Sequence, residues 1–307
     1  MRVAALDLGT NTFLLLIADV HANERGGAID KVLQDEARVV RLGQDVHKTR
    51  KFHPEALERA DQTFAEFARY IGSYKCEKIL ACATSAARDV SNGDALIQLA
   101  AKYKIPVEII SGEREAELTF RGTVGDDLDE PVIIIDVGGG STEFILGGPG
   151  GIEKRESVDI GSVRLTEMFV TQHPVPEEQM KKLNDYISEK LMGIKERFGG
   201  TQTKVIAVAG TPTTLAAMDQ KQAFDSKRVQ GHVLSKEKLK MWLDRLADMG
   251  VQERRALAGM DAKRADVIVA GTMILQMATE MLGASQLEVS VKGLRYGVAK
   301  SLAGETT

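Results

Sequence analysis

A strand-turn-strand unit at the start of the chain narrows the fold more than any other segment. Residues 2–8 and 13–20 are almost entirely apolar, which predicts two neighbouring strands with little exposure on either face. The four residues between them, Gly9, Thr10, Asn11 and Thr12, predict a turn that carries the polar groups of the unit. The polar chemistry of this region is therefore expected in the turn.

The same unit recurs in the second half of the chain. An offset of 129 residues carries Asp7 onto Asp136 without a gap. The offset also aligns Gly9 with Gly138, Thr12 with Ser141, and Leu15-Leu16-Ile17 with Phe144-Ile145-Leu146. Further along each half, a later strand ends at Leu42-Gly43 and at Ile160-Gly161. We interpret the match as an internal duplication, because it falls on residues that set the shape of a turn. A chance match is the alternative.

Strands alternate with helices along the rest of the chain, which is typical of an α/β fold. Further strands are predicted at Lys78–Ala83, Val107–Ile110, Val205–Ala209 and Leu287–Ser290. Helices are predicted after Pro54, at Asp94–Tyr103, from Gly112, and at Glu177–Arg197, Ser235–Met249 and Asp261–Leu282, with one more at the end. The acidic, turn-rich segment 125–131 predicts a domain boundary. We therefore predict domains at residues 1–125 and 126–307.

Composition excludes several classes of function. The 40 lysines and arginines face 44 aspartates and glutamates, and the net charge of −4 offers no basic field for nucleic acid or an anionic membrane. The two cysteines, Cys76 and Cys82, form no C-x-x-C motif and no H-E-x-x-H motif occurs, which argues against a thiolate or histidine metal site. No apolar run reaches the ~20 residues that span a bilayer, and we expect a cytoplasmic protein.

The segment from Asp136 to Glu143 carries the clearest chemical signal. A strand delivers the Asp136 carboxylate, and three glycines then let backbone N–H groups approach an anion closely. A glycine-rich hairpin whose aspartate caps a turn is the alternative. The turn after Asp7 and a third hydroxyl-rich turn, Gly210-Thr211-Pro212-Thr213-Thr214, favour a phosphate site.

Two facing turns of this kind predict a cleft that grips a phosphate chain from both sides. Asp7 and Asp136 would then approach each other. Paired carboxylates beside a phosphate suit Mg²⁺, which prefers oxygen ligands and keeps several waters. The chain has no G-x-x-x-x-G-K-[ST] loop, so that alternative way of holding phosphate is excluded.

Three further charged segments each allow two interpretations. Glu113, Glu115 and Glu117 fall in a predicted first helical turn, where the helix dipole favours acidic residues whether or not they are catalytic. Arg88 follows a strand end, where α/β folds place ligand-binding residues, but an exposed arginine is often only solvated. The basic run from His47 to Lys51 either attracts an anionic chain or lies on the surface without a role.

With these motifs the chain resembles the exopolyphosphatase and guanosine pentaphosphate phosphohydrolase (Ppx/GppA) family, which shares the fold of actin and sugar kinases. The resemblance rests on DLGTNTF, ATSAARD, IISGEREAEL, VIIIDVGGGSTEF, DIGSVRLTE, AVAGTPTTLAA, KRADVIVAGTMIL and VSVKGLRYGV. It implies two ribonuclease H-like (actin-like ATPase) domains with a cleft between them, a homodimer, and Mg²⁺-dependent attack of water on a terminal phosphate. A role for K⁺ is left open.

The resemblance also assigns roles to single residues. Glu115 matches the general base, and Glu143 matches a second acidic residue near the attacking water. Asp136 matches the carboxylate on the metal side, and the repeat adds Asp7 as a second metal ligand. The predicted phosphate contacts are Thr10, Asn11, Arg88, Gly138, Gly139, Gly140, Ser141, Gly210 and Thr211. Relatives often carry a glutamate where this chain has Arg114.

The expected activity is release of the terminal phosphate of inorganic polyphosphate, with pppGpp or other nucleotides as further substrates. Two alternatives stay open at this point. One is an ATP-dependent kinase of the same superfamily, against which the acidic helix start at Glu115 argues. The other is a non-catalytic regulator that binds polyphosphate or an alarmone, against which the intact set Asp7, Glu115, Asp136 and Glu143 argues.

Overall fold

A computed structural model describes residues 1–24, 27–125, 128–199 and 203–304. The strands are β1 (Arg2–Leu8), β2 (Thr12–His21), β3 (Ala28–Val39), β4 (Lys78–Ala83), β5 (Val107–Ile109), β6 (Val132–Val137), β7 (Thr142–Gly148), β8 (Gly151–Val158), β9 (Lys204–Val208), β10 (Val233–Ser235) and β11 (Gln286–Val289). The helices are α1 (Val46–Thr49), α2 (Pro54–Tyr74), α3 (Ser85–Arg88), α4 (Asp94–Ala101), α5 (Gly112–Thr123), α6 (Ser162–Phe169), α7 (Glu177–Phe198), α8 (Gly210–Asp219), α9 (Ser226–Val229), α10 (Lys236–Ala247), α11 (Val251–Arg255), α12 (Ile268–Met281) and α13 (Leu294–Gly304).

The strands form two sheets that share one connectivity. Their orders are β3-β2-β1-β4-β5 and β10-β11-β9-β6-β7-β8. In each sheet three consecutive strands form an antiparallel meander, and two further strands extend it in parallel on the side of the first strand. The short strand β10 is an addition to the second sheet. The predicted α/β class with duplicated ribonuclease H-like domains is confirmed.

The offset of 129 residues also holds in the strand registers. Asp7 lies opposite Leu14 in the β1–β2 pair, and Asp136 lies opposite Glu143 in the β6–β7 pair. Asp7 and Asp136 are therefore equivalent positions of the two copies. The internal duplication predicted from the sequence is present in the backbone.

The chain divides into two compact units, residues 1–127 with 292–307, and residues 128–291. This division differs from the predicted domains 1–125 and 126–307, which place α13 in the second domain. Helix α13 belongs to the first unit because it buries Leu294, Val298 and Leu302 in the same apolar cluster as Val3 and Ala5 of β1. Residues 126 and 127, at the predicted boundary, lie outside the described residues.

In the first unit, helices cover both faces of the sheet. Helix α2 begins at Pro54, whose missing N–H costs nothing at the first helical position, and its apolar stripe packs with α4 on one face. Helices α5 and α13 cover the other face. Asp7 continues the alternation of Val3 and Ala5 along β1, so it lies on the face that carries α5.

Two predicted boundaries were wrong in the second unit. The helix predicted at Asp261–Leu282 begins at Ile268, because Lys263 N–H donates to Asp261 Oδ1 (3.0 Å) and holds the preceding residues in a turn. The turn predicted at Gly210–Thr214 is the first turn of α8, because Ala209, at φ 78°, bends the chain sharply enough for the helix to start at once. None of the described helices is long and apolar enough to cross a membrane.

Candidate active site

The turn after β1 leaves backbone donors open in the first unit. Gly9 N–H donates to Thr12 O (3.1 Å) and closes the turn. Amides of the segment after β3 donate to the carbonyl oxygens of Thr10 and Asn11, and so occupy the carbonyl side of the turn. Among the described residues, the N–H groups of Thr10 and Asn11 have no acceptor. This arrangement can bind an anion.

The Asn11 side chain adds another donor at the same turn. The residue is 5% exposed, and its Nδ2 is buried without a hydrogen-bond partner in the described structure. A buried amide that finds no acceptor costs free energy, and such groups are rare in folded proteins. An anionic ligand oxygen would satisfy it.

The turn after β6 repeats this arrangement in the second unit. Gly138 N–H donates to Ser141 O (3.0 Å), as Gly9 does at the equivalent position. The first two amides of α6 donate to the carbonyls of Gly138 and Gly139 (3.0 and 2.9 Å), and Arg164 Nε donates to Gly140 O (2.7 Å). Within the described ranges, the N–H groups of Gly139 and Gly140 keep no acceptor. Both copies thus present a pair of free amides.

A second glycine packs against each turn. A Cβ on Gly161 would overlap backbone atoms of Gly139 and Gly140, whereas a Cβ on Gly43 would overlap Cγ2 of Thr10. Thr10 and Gly139 are equivalent under the offset of 129 residues. The two strand-closing glycines of the sequence repeat therefore have the same function, which is to let a later segment approach the turn closely.

Gly43→Ala is expected to lower the free energy of unfolding by about 1–3 kcal/mol, the usual cost of overpacking. Adding Thr10→Ser should recover most of this loss, because the serine lacks the methyl group that the new Cβ meets. Urea unfolding of the two single variants and the double variant measures the coupling. Gly72→Ala is the control, since a Cβ there meets nothing within 4 Å. An equal loss in the single and double variants would contradict the proposed contact.

The candidate general base is a buried carboxylate held by one arginine. Ser111 caps α5, which places Glu115 one turn inside the helix and 8% exposed. Arg88 Nη1 donates to Glu115 Oε2 (2.7 Å) and to Ile110 O (2.9 Å). The neighbouring Arg114 pairs with Glu117 (2.8 Å), so its charge is directed away from Glu115. The structure thus brings the predicted residues Arg88 and Glu115 into direct contact.

Burial raises the pKa of Glu115, and the Arg88 guanidinium opposes this shift. A base must be ionised to accept a proton, so turnover should fall as the pH drops through this raised pKa. Because the folded protein binds the Glu115 proton more tightly than the unfolded chain does, protonation of Glu115 stabilises the fold. This contribution to the free energy of unfolding decreases as the pH rises from the ordinary pKa of a glutamate towards the raised pKa of Glu115. A pH profile of turnover measures the shift. A profile that falls only at the ordinary pKa of an exposed glutamate would contradict it.

Asp7 lies on the sheet face that carries Glu115. Cys82, its parallel partner on β4, is almost fully buried. Burial raises the pKa of the Cys82 thiol to about 12, with the charges of Asp7 and Glu115 adding to the shift. The first unit therefore gathers Asp7, Arg88 and Glu115 near the carboxyl ends of β1 and β4. The predicted approach of Asp7 to Asp136 stays a prediction.

Two carboxylates face each other in the second unit. Asp136 and Glu143 are directly opposite in the β6–β7 ladder, which brings their Cβ atoms to about 5 Å. Glu143 is 1% exposed, and its Oε1 accepts a hydrogen bond from Ser157 Oγ (2.7 Å). No group of three or more acidic, histidine or cysteine side chains that could hold a metal occurs among the described residues. A pair of carboxylates nevertheless fits Mg²⁺, which commonly takes one or two together with substrate oxygens and water.

Arg264 is a candidate functional residue that sequence reasoning missed. Its guanidinium packs so closely on Gly210 that any Cβ there would overlap it, and it thereby lies beside the first turn of α8. Burial lowers the pKa of Arg264, and Asp261 opposes the shift. The N–H groups of Gly210 and Thr211 have no acceptor in the described part of the chain. Only its place in the KRADVIVAGTMIL motif could have indicated Arg264.

The chain is similar to several known proteins. The model of the Ppx/GppA phosphatase family matches residues 19–306. Exopolyphosphatase 2 of Mycobacterium tuberculosis is 37% identical over 317 residues, which cover 99% of each chain. The bifunctional 3-dehydroquinate synthase/phosphatase of Fusobacterium nucleatum is 34% identical over 94% of this chain, which spans only 44% of that protein. The crystal structure of an exopolyphosphatase from Cytophaga hutchinsonii superposes with a TM-score of 0.88 at 30% identity, over 99% of this chain and 98% of that one.

Proposed function

Because the chain belongs to the Ppx/GppA phosphatase family, we propose that it is an exopolyphosphatase that hydrolyses the terminal phosphoanhydride bond of inorganic polyphosphate. The observation that carries the proposal is the buried Glu115 carboxylate, held by Arg88 in the same unit as a turn with open amide donors. A hydrolase needs such a base to take a proton from the attacking water. The relatives named exopolyphosphatase support the substrate class.

The open backbone donors of each unit would bind phosphate groups of the substrate. Amides that already point into the site stabilise developing negative charge without having to reorganise during the reaction. In the first unit the pair at Thr10–Asn11 supplies two such donors and Asn11 Nδ2 adds a third, and in the second unit the pair at Gly139–Gly140 supplies two. Phosphoryl transfer depends mainly on positioning and charge stabilisation, and these groups provide both.

Glu115 would remove a proton from the attacking water. Its raised pKa makes it a stronger base than an exposed glutamate, and the bond from Arg88 fixes the orientation of the carboxylate. Arg88 Nη1 is also tied to a backbone carbonyl, so the arginine cannot swing away without losing that bond. The pair therefore holds the proton acceptor at a fixed position.

We also propose Mg²⁺ as the cofactor, with the predicted ligand Asp136 and the facing Glu143 as the carboxylates that would hold it. Asp7 as a second metal ligand and Glu143 as a residue near the attacking water stay predictions. When bound, the ion would neutralise charge on the phosphate oxygens. Ser157 keeps Glu143 oriented through its hydrogen bond, and the facing register keeps the two carboxylates together. Hydrolysis of pppGpp, a role for K⁺ and formation of a homodimer stay predictions.

Phosphate release from tripolyphosphate, long-chain polyphosphate, pppGpp and ATP, measured side by side with Mg²⁺ and with EDTA, tests the proposal. We expect release from polyphosphate that EDTA abolishes. Release from pppGpp would extend the substrate range to guanosine pentaphosphate. Tight binding of polyphosphate without release would instead favour the regulator, and transfer of labelled phosphate from ATP to an acceptor would favour the kinase.

A further inference from the structure

Residues 40–52, which we call the basic loop, carry an excess of cations on an acidic protein, and residues 48–51 of this loop are exposed. The loop carries four cations, Arg41, Lys48, Arg50 and Lys51, and one carboxylate, whereas the whole chain has a net charge of −4. We propose that Lys48, Arg50 and Lys51 form a subsite for the inner phosphates of a polyphosphate chain whose end lies at the candidate active site. The inference rests on the proposed function and adds a determinant of chain-length preference.

The start of the basic loop is bonded to the candidate phosphate turn. The amides of Val40 and Arg41 donate to Asn11 O (3.0 and 2.9 Å), and Gly43 N–H donates to Thr10 O (2.8 Å). These bonds hold the loop against the two residues whose N–H groups are open. A phosphate chain that leaves this turn would therefore begin next to the loop.

The end of the basic loop is bonded to the segment that follows Arg88. Ser91 donates through its N–H and its Oγ to Arg50 O (2.9 and 3.2 Å), and Phe52 N–H donates to Asn92 Oδ1 (2.9 Å). Ser91 is three residues from Arg88, so their Cα atoms are at most about 10 Å apart. The loop thus connects the two parts of the first unit that the proposed function assigns to phosphate and to the base.

The loop presents its cations from a fixed backbone. Val46 and Phe52 are each 4% exposed and anchor it in the core on either side of the charges. Asp45 and Arg50 adopt left-handed conformations at φ 54° and 51°, which cost free energy in residues other than glycine. A loop that is free to relax would not keep this strain, so the packing holds the charges in place.

The cations are available to a ligand. The Lys48 and Arg50 side chains are 62% and 64% exposed, and their nearest carboxylates, on Asp45 and Asp89, lie 3.8 Å away, which makes weak pairs. Lys51 is exposed and has no ion-pair partner among the described residues. Exposed cations act through long-range, salt-sensitive attraction, which suits a repeating linear polyanion.

The test compares two substrates in two charge variants. Lys48→Gln/Arg50→Gln/Lys51→Gln should raise the KM for long-chain polyphosphate about tenfold, as expected for the loss of three weak contacts, and should leave kcat unchanged. The KM for tripolyphosphate should change less than about twofold. The salt dependence of kcat/KM on the long chain should weaken. The control, Lys181→Gln/Lys190→Gln/Lys195→Gln on α7, makes the same change in net charge. It should leave the KM for both substrates unchanged.

A double variant, Lys48→Gln/Lys51→Gln, leaves the strained Arg50 in place and should raise the KM for the long chain in the same direction. An unchanged KM for the long chain in both variants, or an equal rise for both substrates, would overturn the inference. A wild-type protein that releases no phosphate from either substrate would instead contradict the proposed function. Binding of long-chain polyphosphate to the variants by fluorescence titration would still test the basic loop in that case.

Discussion

Glu115→Gln is expected to lower phosphate release from polyphosphate by about a thousandfold, the usual contribution of a general base. Glutamine keeps the volume of the side chain and an oxygen that can accept the bond from Arg88. It removes the proton acceptor. It also removes a carboxylate whose burial raises its pKa, so the melting temperature should stay the same or rise at neutral pH. Steady-state phosphate release and thermal unfolding check the two halves of this prediction.

Glu113→Gln is the matched control for this variant. Glu113 lies in the same first turn of α5, and its side chain is exposed. The Glu113→Gln variant should keep near wild-type turnover, because the proposed base is the buried carboxylate of Glu115. If both variants lose activity equally, the effect belongs to the helix start as a whole and Glu115 is not the base.

Gly161→Ala is expected to reduce turnover about a hundredfold and the free energy of unfolding by about 1–3 kcal/mol. The new Cβ would overlap the backbone of Gly139 and Gly140, so the turn itself has to move. The open amides of that turn would then lose the positions that the proposed function gives them. Because the obstruction is backbone, no side-chain substitution in the turn should relieve it, in contrast to the Gly43 variant. Turnover and urea unfolding measured together check this prediction.

Gly150→Ala controls for the loss of a glycine in the same unit. A Cβ at Gly150 meets nothing within 4 Å, so stability and turnover should stay near wild type. Full activity of Gly161→Ala would show that the close approach of α6 does not fix the turn.

Much of the site could be predicted because its signals are local. The alignment of Asp7 with Asp136 depended on turn residues, and the turn hydrogen bonds at Gly9 and Gly138 repeat it. Glu115 could be placed in a first helical turn because Ser111 supplies a helix cap three residues before Arg114. In these cases a short stretch of sequence determines the backbone almost by itself.

The remaining contacts join residues that are distant in sequence. The packing of Arg264 on Gly210 and the bond from Ser157 to Glu143 depend on how elements meet, which hydrophobic periodicity does not encode. The start of α12 is a smaller case, since the side chain of Asp261 competes with the helix for backbone amides. Arg88 could be suspected from its strand end, but its bond to Glu115 required the fold.

The return of α13 to the first unit has a consequence for synthesis on the ribosome. The second unit is continuous, from residue 128 to 291, whereas the first needs residues on both sides of it. The second core can therefore form while β1 still lacks α13, which together with α5 covers the face of Val3 and Ala5. Until α13 emerges, that apolar face is only partly covered and is open to chaperones and to aggregation, so the half of the molecule that is translated first is the last to be completed.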